Sequence, residues 1–167
     1  AGIILPADVD ILTDLNNFIA DLNGTDVNNT EKIQNIVDLL VYLVKDGAVN
    51  AKGIPDMDSY NTLGLSDVNS STMASDINRI LLSKDLSEIN TKEKISDLID
   101  AYVLSMANIA AFVADANATV PDANDYINIG ITGVDADNVD AVNAQVLAAD
   151  GEADTLLEIQ ALVNDVD

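Results

Sequence analysis

The sequence contains no cysteine, no histidine and no tryptophan, and each absence removes a class of chemistry or packing. Without cysteine and histidine, the chain has no disulfides, no thiolate or imidazole metal ligands, and no Ser-His or Cys-His catalytic pair. Aromatic residues are scarce too, with two Phe and four Tyr, so Ile, Leu, Val and Ala have to pack the core. These absences exclude a disulfide-stapled domain and the commonest nucleophilic enzymes.

Basic residues are also few: the chain has seven Lys and Arg against 29 Asp and Glu, which gives a formal net charge of −22. Such a surface repels nucleic acids and anionic lipid headgroups, so we predict no nucleic-acid binding. It is compatible with cations, basic proteins or saline surroundings. Because 49% of the residues are apolar and recur at helical spacings, we expect a folded chain rather than a disordered one.

Long apolar runs are missing. No stretch of about 18 consecutive apolar residues occurs, so we predict no membrane insertion. The opening segment, AGIILPADVD, is too short for a signal peptide and lacks a basic region. The sequence therefore starts like an excision from a longer protein, or like a processed end.

Two stretches of the chain are related by a shift of 66 residues, which predicts an array of related units. We expect a truncated or capping unit at 1–53, a complete repeat at 54–119, and a second repeat at 120–167 that is shortened at its C-terminal end. The paired positions are Ile54 and Val120, Pro55 and Pro121, Asp56 and Asp122, Tyr60 and Tyr126, Gly64 and Gly130, Val68 and Val134, and Leu81 and Leu147.

Apolar residues recur at spacings of three and four through most of the chain, which predicts an all-α protein. We expect short helical bundles of three-helix type, arranged in line and joined through a long helix at about 91–114. Gly64 and Gly130 each close a short helix by supplying a left-handed backbone. The apolar run 39–44 is predicted to be a deeply buried helix, with a strand as the alternative.

An apolar stripe with one asparagine in it occurs in each of the three units, at Asn16, Asn78 and Asn143. The helical spacing points each amide toward the core, where an amide without a partner costs about 1–3 kcal/mol. We therefore predict that these asparagines bind the backbone of a neighbouring loop; the alternative is a ligand-binding amide. Tyr60 and Tyr126 are predicted to be half-buried anchors between the short helix and the long one.

Clusters of acidic residues are the feature most suggestive of a ligand, because calcium takes oxygen donors. Their spacing does not match an EF-hand, and Asp, Asn, Ser and Thr exchange between the repeats as they do at helix N-caps. We predict capping, keep a calcium site as the alternative, and predict a loop and helix start for the acidic run 150–154. The calcium candidates are Asp56, Asp58, Asp135, Asp137 and Asp140.

Paired carboxylates can carry acid–base catalysis, but 29 acidic residues produce close pairs by chance. An enzyme also needs groups that orient a substrate. The sequence offers no aromatic platform, basic clamp or glycine-rich phosphate loop, so we predict a protein without catalytic activity and without a cofactor.

The segment PDANDYINIGITGVDADNVDAVNAQV and its earlier copy PDMDSYNTLGLSDVNSSTMASDINRIL resemble the tandem helical repeats of very large secreted bacterial surface proteins, including adhesins. The resemblance covers most of the chain from Ile54 onward. It implies an extracellular, non-catalytic segment that acts as a spacer or displays the other domains of the same long protein.

The same region is also similar to albumin-binding three-helix modules of bacterial surface proteins, through Tyr126, Gly130 and the helix that follows them. That likeness implies a host-protein ligand bound through exposed apolar residues beside the second helix. The chain departs from those modules in its charge, since Asp14, Asp76 and Asp140 lie on the helix that would dock. Binding of a host or surface protein is the alternative function.

Overall fold

A computed structural model of the chain describes residues 9–20, 22, 24, 27–44, 53–149, 153 and 155–166. Helices are the regular elements of this part of the chain, which confirms the predicted all-α class. The helices, in chain order, are α1 (Val9–Ala20), α2 (Thr30–Val44), α3 (Met57–Thr62), α4 (Ser71–Leu82), α5 (Leu86–Ile89), α6 (Lys92–Ala114), α7 (Ala123–Asn128), α8 (Val139–Ala148) and α9 (Leu156–Asn164).

The chain divides into two compact units, Ala1–Ile99 and Asp100–Asp167. The division falls inside α6, so the first turns of this helix belong to unit 1 and the remainder belongs to unit 2. It does not coincide with the sequence repeats, which begin at 54 and 120. The repeat boundaries therefore remain a statement about the sequence, and each unit is described below by itself.

In unit 1, α1 packs against α2, α2 against α3, and α3 against α4. The apolar run in α2 is helical, as predicted, and Leu39, Leu40 and Tyr42 within it are buried. Aliphatic side chains supply most of this core, as the scarcity of aromatic residues requires. Its most deeply buried members include Phe18, Ile36, Leu40, Tyr60, Leu63, Ile77, Leu81 and Ile95.

In unit 2, α8 packs against α9, and the C-terminal part of α6 contributes one buried face. Within this face Ser105 is a buried polar residue, only 1% exposed. The other buried side chains of the unit include Tyr102, Ile109, Phe112, Tyr126, Ile129, Val142, Val146, Ile159 and Val163.

Within the described ranges, α6 is the one helix whose length and composition would allow it to cross a membrane. Its apolar residues nevertheless divide between two faces. Ile99 and Ile109 are buried in protein, whereas Val103 and Leu104 are 43% and 63% exposed. One face of the helix is therefore buried, and the other places aliphatic side chains at the surface.

Helices α2, α6 and α9 begin in the same way. At each start, a polar side chain accepts a hydrogen bond from the backbone N–H three residues later, which satisfies a donor that the helix leaves unpaired. An isoleucine follows four residues after each of these capping side chains. The capping residues are Asn29, Thr91 and Thr155, at 2.9, 3.3 and 3.3 Å, and the isoleucines are Ile33, Ile95 and Ile159.

The equivalence between the two repeats changes register in the loop before α4 and α8. Asn78 lies ten residues after the buried Val68, whereas Asn143 lies nine residues after Val134. Beyond this loop the shift is therefore 65 residues, so the counterpart of the buried Leu81 is the buried Val146. The pairing of Leu81 with Leu147 was wrong: Leu147 is 36% exposed.

Candidate functional site

The short helix α3 starts at a reciprocal capping box. The side chain of Asp56 accepts the backbone N–H of Ser59 at 2.9 Å, and Ser59 Oγ accepts the backbone N–H of Asp56 at 3.3 Å. Ser59 Oγ also donates to Asp56 Oδ1 at 2.7 Å. Hydrogen bonds from the side chain and backbone of Ser59 lower the pKa of the Asp56 carboxyl group.

A left-handed glycine ends each short helix. Gly64 has φ of 76° and Gly130 has φ of 79°, values that an L side chain rarely adopts. The chain then reverses, and the next backbone N–H returns to the tyrosine carbonyl: Leu65 N to Tyr60 O at 3.0 Å, and Ile131 N to Tyr126 O at 2.9 Å. This supports the predicted conformational role of the two glycines.

In unit 1 a chain of two buried hydrogen bonds connects α3 with α4. The Tyr60 hydroxyl group donates to Asn78 Oδ1 at 2.6 Å, and Asn78 Nδ2 donates to the Pro55 carbonyl oxygen at 2.6 Å. Tyr60 is 0% and Asn78 4% exposed. The amide therefore ties the chain just before α3 to the ring of Tyr60, with both of its ends satisfied inside the protein.

Unit 2 builds the same arrangement. The Tyr126 hydroxyl group donates to Asn143 Oδ1 at 2.6 Å, and Asn143 Nδ2 donates to the Pro121 carbonyl oxygen at 2.9 Å. We call this arrangement the Tyr–Asn–Pro clamp. It consists of Tyr60, Asn78 and Pro55 in unit 1, and of Tyr126, Asn143 and Pro121 in unit 2.

The clamps agree with the hydrogen bonds to neighbouring backbone expected for Asn78 and Asn143, but they correct two details. Tyr60 and Tyr126 are not half-buried, because both side chains are 0% exposed. Their hydroxyl partners lie on α4 and α8 rather than on the long helix. Burial raises the pKa of each phenol well above its ordinary value, with Tyr42 and Asp125 adding to the effect, so both stay protonated donors.

Asn16 does not follow the predicted pattern. Its side chain is exposed, whereas Leu15 and Phe18 on the same helix are buried. A buried amide without partners is costly, so this copy of the motif presents its asparagine to water.

The acidic candidates divide by role. Asp56 caps α3, and Asp135 Oδ1 accepts the backbone N–H groups of Asp137 and Asn138 at 2.9 and 3.2 Å, which orders the turn before α8. These bonds confirm capping for Asp56, whereas Asp135 orders the turn before α8, whose N-cap residue is Asn138. Asp58 and Asp140 lie in the first turns of α3 and α8, where a negative charge is favourable.

No three carboxylates converge as a metal site among the residues that the structure describes. The absence of catalysis and the absence of calcium both stay predictions. The loop and helix start predicted for the acidic run 150–154 falls mostly outside the described residues, which include only Ala153 of that run.

Unit 2 carries additional polar contacts between α6 and α7. Asp125 occupies the capping-box position that Ser59 holds in unit 1, and its Oδ2 accepts the Asp122 backbone N–H at 3.1 Å. Its Oδ1 accepts from Asn108 Nδ2 on α6 at 3.0 Å. One turn further, Asn128 Nδ2 donates to the buried Ser105 Oγ at 3.1 Å. Sequence reasoning missed these contacts, although the Asp-x-x-Asp spacing marks Asp125 as a capping residue.

A second contact missed from the sequence holds the loop before α8 against α9. Gln160 Oε1 accepts the Thr132 backbone N–H at 2.9 Å, and Gln160 Nε2 donates to the Thr132 carbonyl oxygen at 3.0 Å. The glutamine side chain therefore pairs with both backbone groups of one residue, as a neighbouring strand would. No local sequence signal connects two residues so far apart in the chain.

The polar groups in these sites form hydrogen bonds that stabilise the fold. The phenol, amide and carbonyl groups of each clamp bond to one another inside the protein, and the carboxylates of Asp56 and Asp135 accept hydrogen bonds from backbone N–H groups. A scan against protein-family models, a search of curated proteins and a search of solved structures each found no match to the chain.

Proposed function

We propose that the chain is a non-catalytic helical repeat segment of a bacterial surface protein, located outside the cell, where it spaces or displays other domains of the same protein. The observation that carries this proposal is the Tyr–Asn–Pro clamp, which is built twice from equivalent residues. A group that is buried and hydrogen-bonded at both ends cannot contact a substrate. The element that the two repeats share is therefore structural and not reactive.

The charge of the chain supports the same function. With a net charge of −22, neighbouring chains repel one another, which keeps a long, densely displayed array soluble and separated. High salt screens this repulsion within a few ångströms, so folding of the acidic segment is favoured in a saline exterior. The extracellular location rests on the resemblance to surface-protein repeats and on this charge.

Binding of a host or surface protein is the second candidate, and the exposed aliphatic residues favour it. Leu157 on α9 is 82% exposed and Leu104 on α6 is 63% exposed, so both offer apolar surface that a partner could bury. Both residues belong to unit 2, so a partner would bind the unit that resembles the albumin-binding modules.

Immobilised chain exposed to serum proteins and to cell-surface extracts separates the two functions. A spacer retains nothing specifically at micromolar concentration, and the double variant Leu104→Ser with Leu157→Ser behaves like the wild type. Saturable retention of one protein that the double variant abolishes would instead establish the binding function. Leu82→Ser in unit 1, which also replaces a partly exposed leucine, is the matched control.

A direct test of the spacer uses display. The chain is placed between a cell-surface anchor and a binding domain whose ligand is presented at increasing distance from the surface. We expect a duplicated copy of the chain to extend the reach of the binding domain, and an unrelated helical spacer of equal length to substitute for the chain. Loss of function on that substitution would contradict a purely architectural role.

A further inference from the structure

A small apolar cavity opens in unit 2 between the C-terminal part of α6 and the start of α9. Its volume is about 230 Å³. Of the residues that the structure describes, those that line it carry no charge and no side-chain hydrogen-bond donor or acceptor other than the thioether of Met106. The lining residues are Met106, Ile109, Ala110, Val113, Ala114, Ala153 and Ile159.

The repeat explains why space is left at this position. Helices α6 and α9 begin at similar caps, Thr91 and Thr155, and a second change of register places these caps 64 residues apart. Aligned on the caps, the residues two positions before them hold the same place. In unit 1 that residue is Ile89, which is 2% exposed; in unit 2 it is Ala153, which is 6% exposed. Unit 2 therefore has three fewer side-chain carbon atoms at a buried position, and the cavity adjoins it.

The opposite wall adds to the space. Ala110 and Ala114 lie one turn apart on α6 and present only methyl groups to the cavity, while Ile109 and Val113 flank them. Protein interiors are normally packed with few voids larger than a water molecule. A cavity of this size with a mainly aliphatic lining offers water few hydrogen-bonding partners, so it favours an apolar occupant.

We propose that this cavity is a binding site for a small, uncharged hydrocarbon or aromatic group. A lining without donors or acceptors recognises shape and apolar surface only, and the net charge of −22 disfavours an anionic amphiphile. An apolar cavity of about 150 Å³ holds benzene, and drug-sized ligands occupy about 300 Å³ or more. The occupant is therefore slightly larger than benzene. This site is independent of the spacer function.

The test uses benzene as the probe and the methyl resonances of the full chain as the readout. In the wild-type chain we expect the Ile109, Val113 and Ile159 methyl signals to shift saturably with benzene, while those of Ile77 in unit 1 stay in place. Absence of a saturable shift at benzene saturation overturns the proposal, as does an equal shift in both units.

Ala153→Ile tests the location. It restores in unit 2 the residue type that unit 1 carries at the equivalent position, so we expect it to fold, to raise the melting temperature and to abolish the benzene-induced shifts. If this variant does not fold, Ala110→Leu blocks the same cavity from α6. Ile89→Ala is the control of matched chemistry in unit 1 and leaves the unit 2 shifts unchanged. Shifts that persist in a folded cavity-filling variant overturn the proposal.

Discussion

Unit 1 and unit 2 build the same Tyr–Asn–Pro clamp but support it differently. Around α3, the capping-box residue Ser59 bonds within its own helix start, and the described residues add no contact to it from another helix. Around α7, its counterpart Asp125 also accepts from Asn108, and Asn128 reaches Ser105, so that two polar contacts join α7 to α6. The clamp is thus the constant part of the repeat, and the contacts around the short helix are the part that varies.

The third copy of the motif shows what the clamp requires. Asn16 lies in an apolar stripe like those of Asn78 and Asn143, yet its side chain is exposed. The stripe alone therefore does not bury the amide. At Asn78 and Asn143 a tyrosine hydroxyl group and a Pro carbonyl group satisfy both ends of the amide.

The largest effect is expected from removing the amides. Asn78→Leu or Asn143→Leu leaves a buried Tyr hydroxyl group and a Pro carbonyl group without partners, so each should lower the free energy of unfolding by about 2–4 kcal/mol. Asn16→Leu, at an exposed position, should change it by less than about 0.5 kcal/mol. Chemical denaturation followed by circular dichroism measures all three. Equal effects at the three positions would refute the distinction.

A smaller effect is expected from exchanging the capping-box residues between the units. Asp125→Ser keeps an acceptor for the Asp122 backbone N–H but loses the one for Asn108, so it should destabilise the chain by about 0.5–1.5 kcal/mol. The reverse exchange, Ser59→Asp, has no such contact to lose and should stay within about 0.5 kcal/mol. Chemical denaturation followed by circular dichroism measures the free energy of unfolding of both variants. A larger loss for Ser59→Asp would show that the two caps differ for another reason.

The stability that the Asp56 cap contributes is small and depends on pH. Because hydrogen bonds from Ser59 lower the pKa of Asp56 in the folded state, the ionised carboxylate contributes stability above its ordinary pKa of 3.8. That contribution is lost as the pH falls through the lower, folded-state pKa. Asp56→Asn keeps a good N-cap, so near neutral pH it should cost less than about 1 kcal/mol. The difference from wild type should shrink in acid; a constant difference down to about pH 2 would contradict this assignment.

No effect is expected from calcium. The carboxylates of Asp56 and Asp135 accept hydrogen bonds from backbone N–H groups. The midpoint of thermal unfolding should therefore be the same with calcium and with a chelator at matched ionic strength. A midpoint that rises by many degrees with calcium would contradict the capping assignment. Asp56, Asp58, Asp135, Asp137 and Asp140 would then be the residues to replace.

Local rules predicted much of this architecture from the sequence. Helical spacing and turn glycines gave the all-α class and the closures at Gly64 and Gly130, because these depend on neighbours within a few residues. The buried amides of Asn78 and Asn143 followed from their place in an apolar stripe. The same stripe misplaced Asn16, because burial also depends on partners that lie elsewhere in the chain.

What the sequence did not reveal depends on residues distant in the chain. Two contacts join residues whose separation in the sequence matches neither a helical nor a strand period. They are the contact of Gln160 with Thr132 and that of Asn108 with Asp125. The pairing of Leu81 with Leu147 failed for a related reason. One residue is missing from the loop before Asn143, and a constant shift of 66 does not detect the change of register.

A double-mutant cycle within each unit tests the clamp most directly. It combines Tyr60→Phe with Asn78→Leu, and separately Tyr126→Phe with Asn143→Leu. If each tyrosine and asparagine act as one buried bonded pair, their effects on the free energy of unfolding are less than additive, with a coupling of about 1–2 kcal/mol in both units. Additive effects in either unit, with no coupling, would contradict the claim that the clamp is the shared structural element of the repeat.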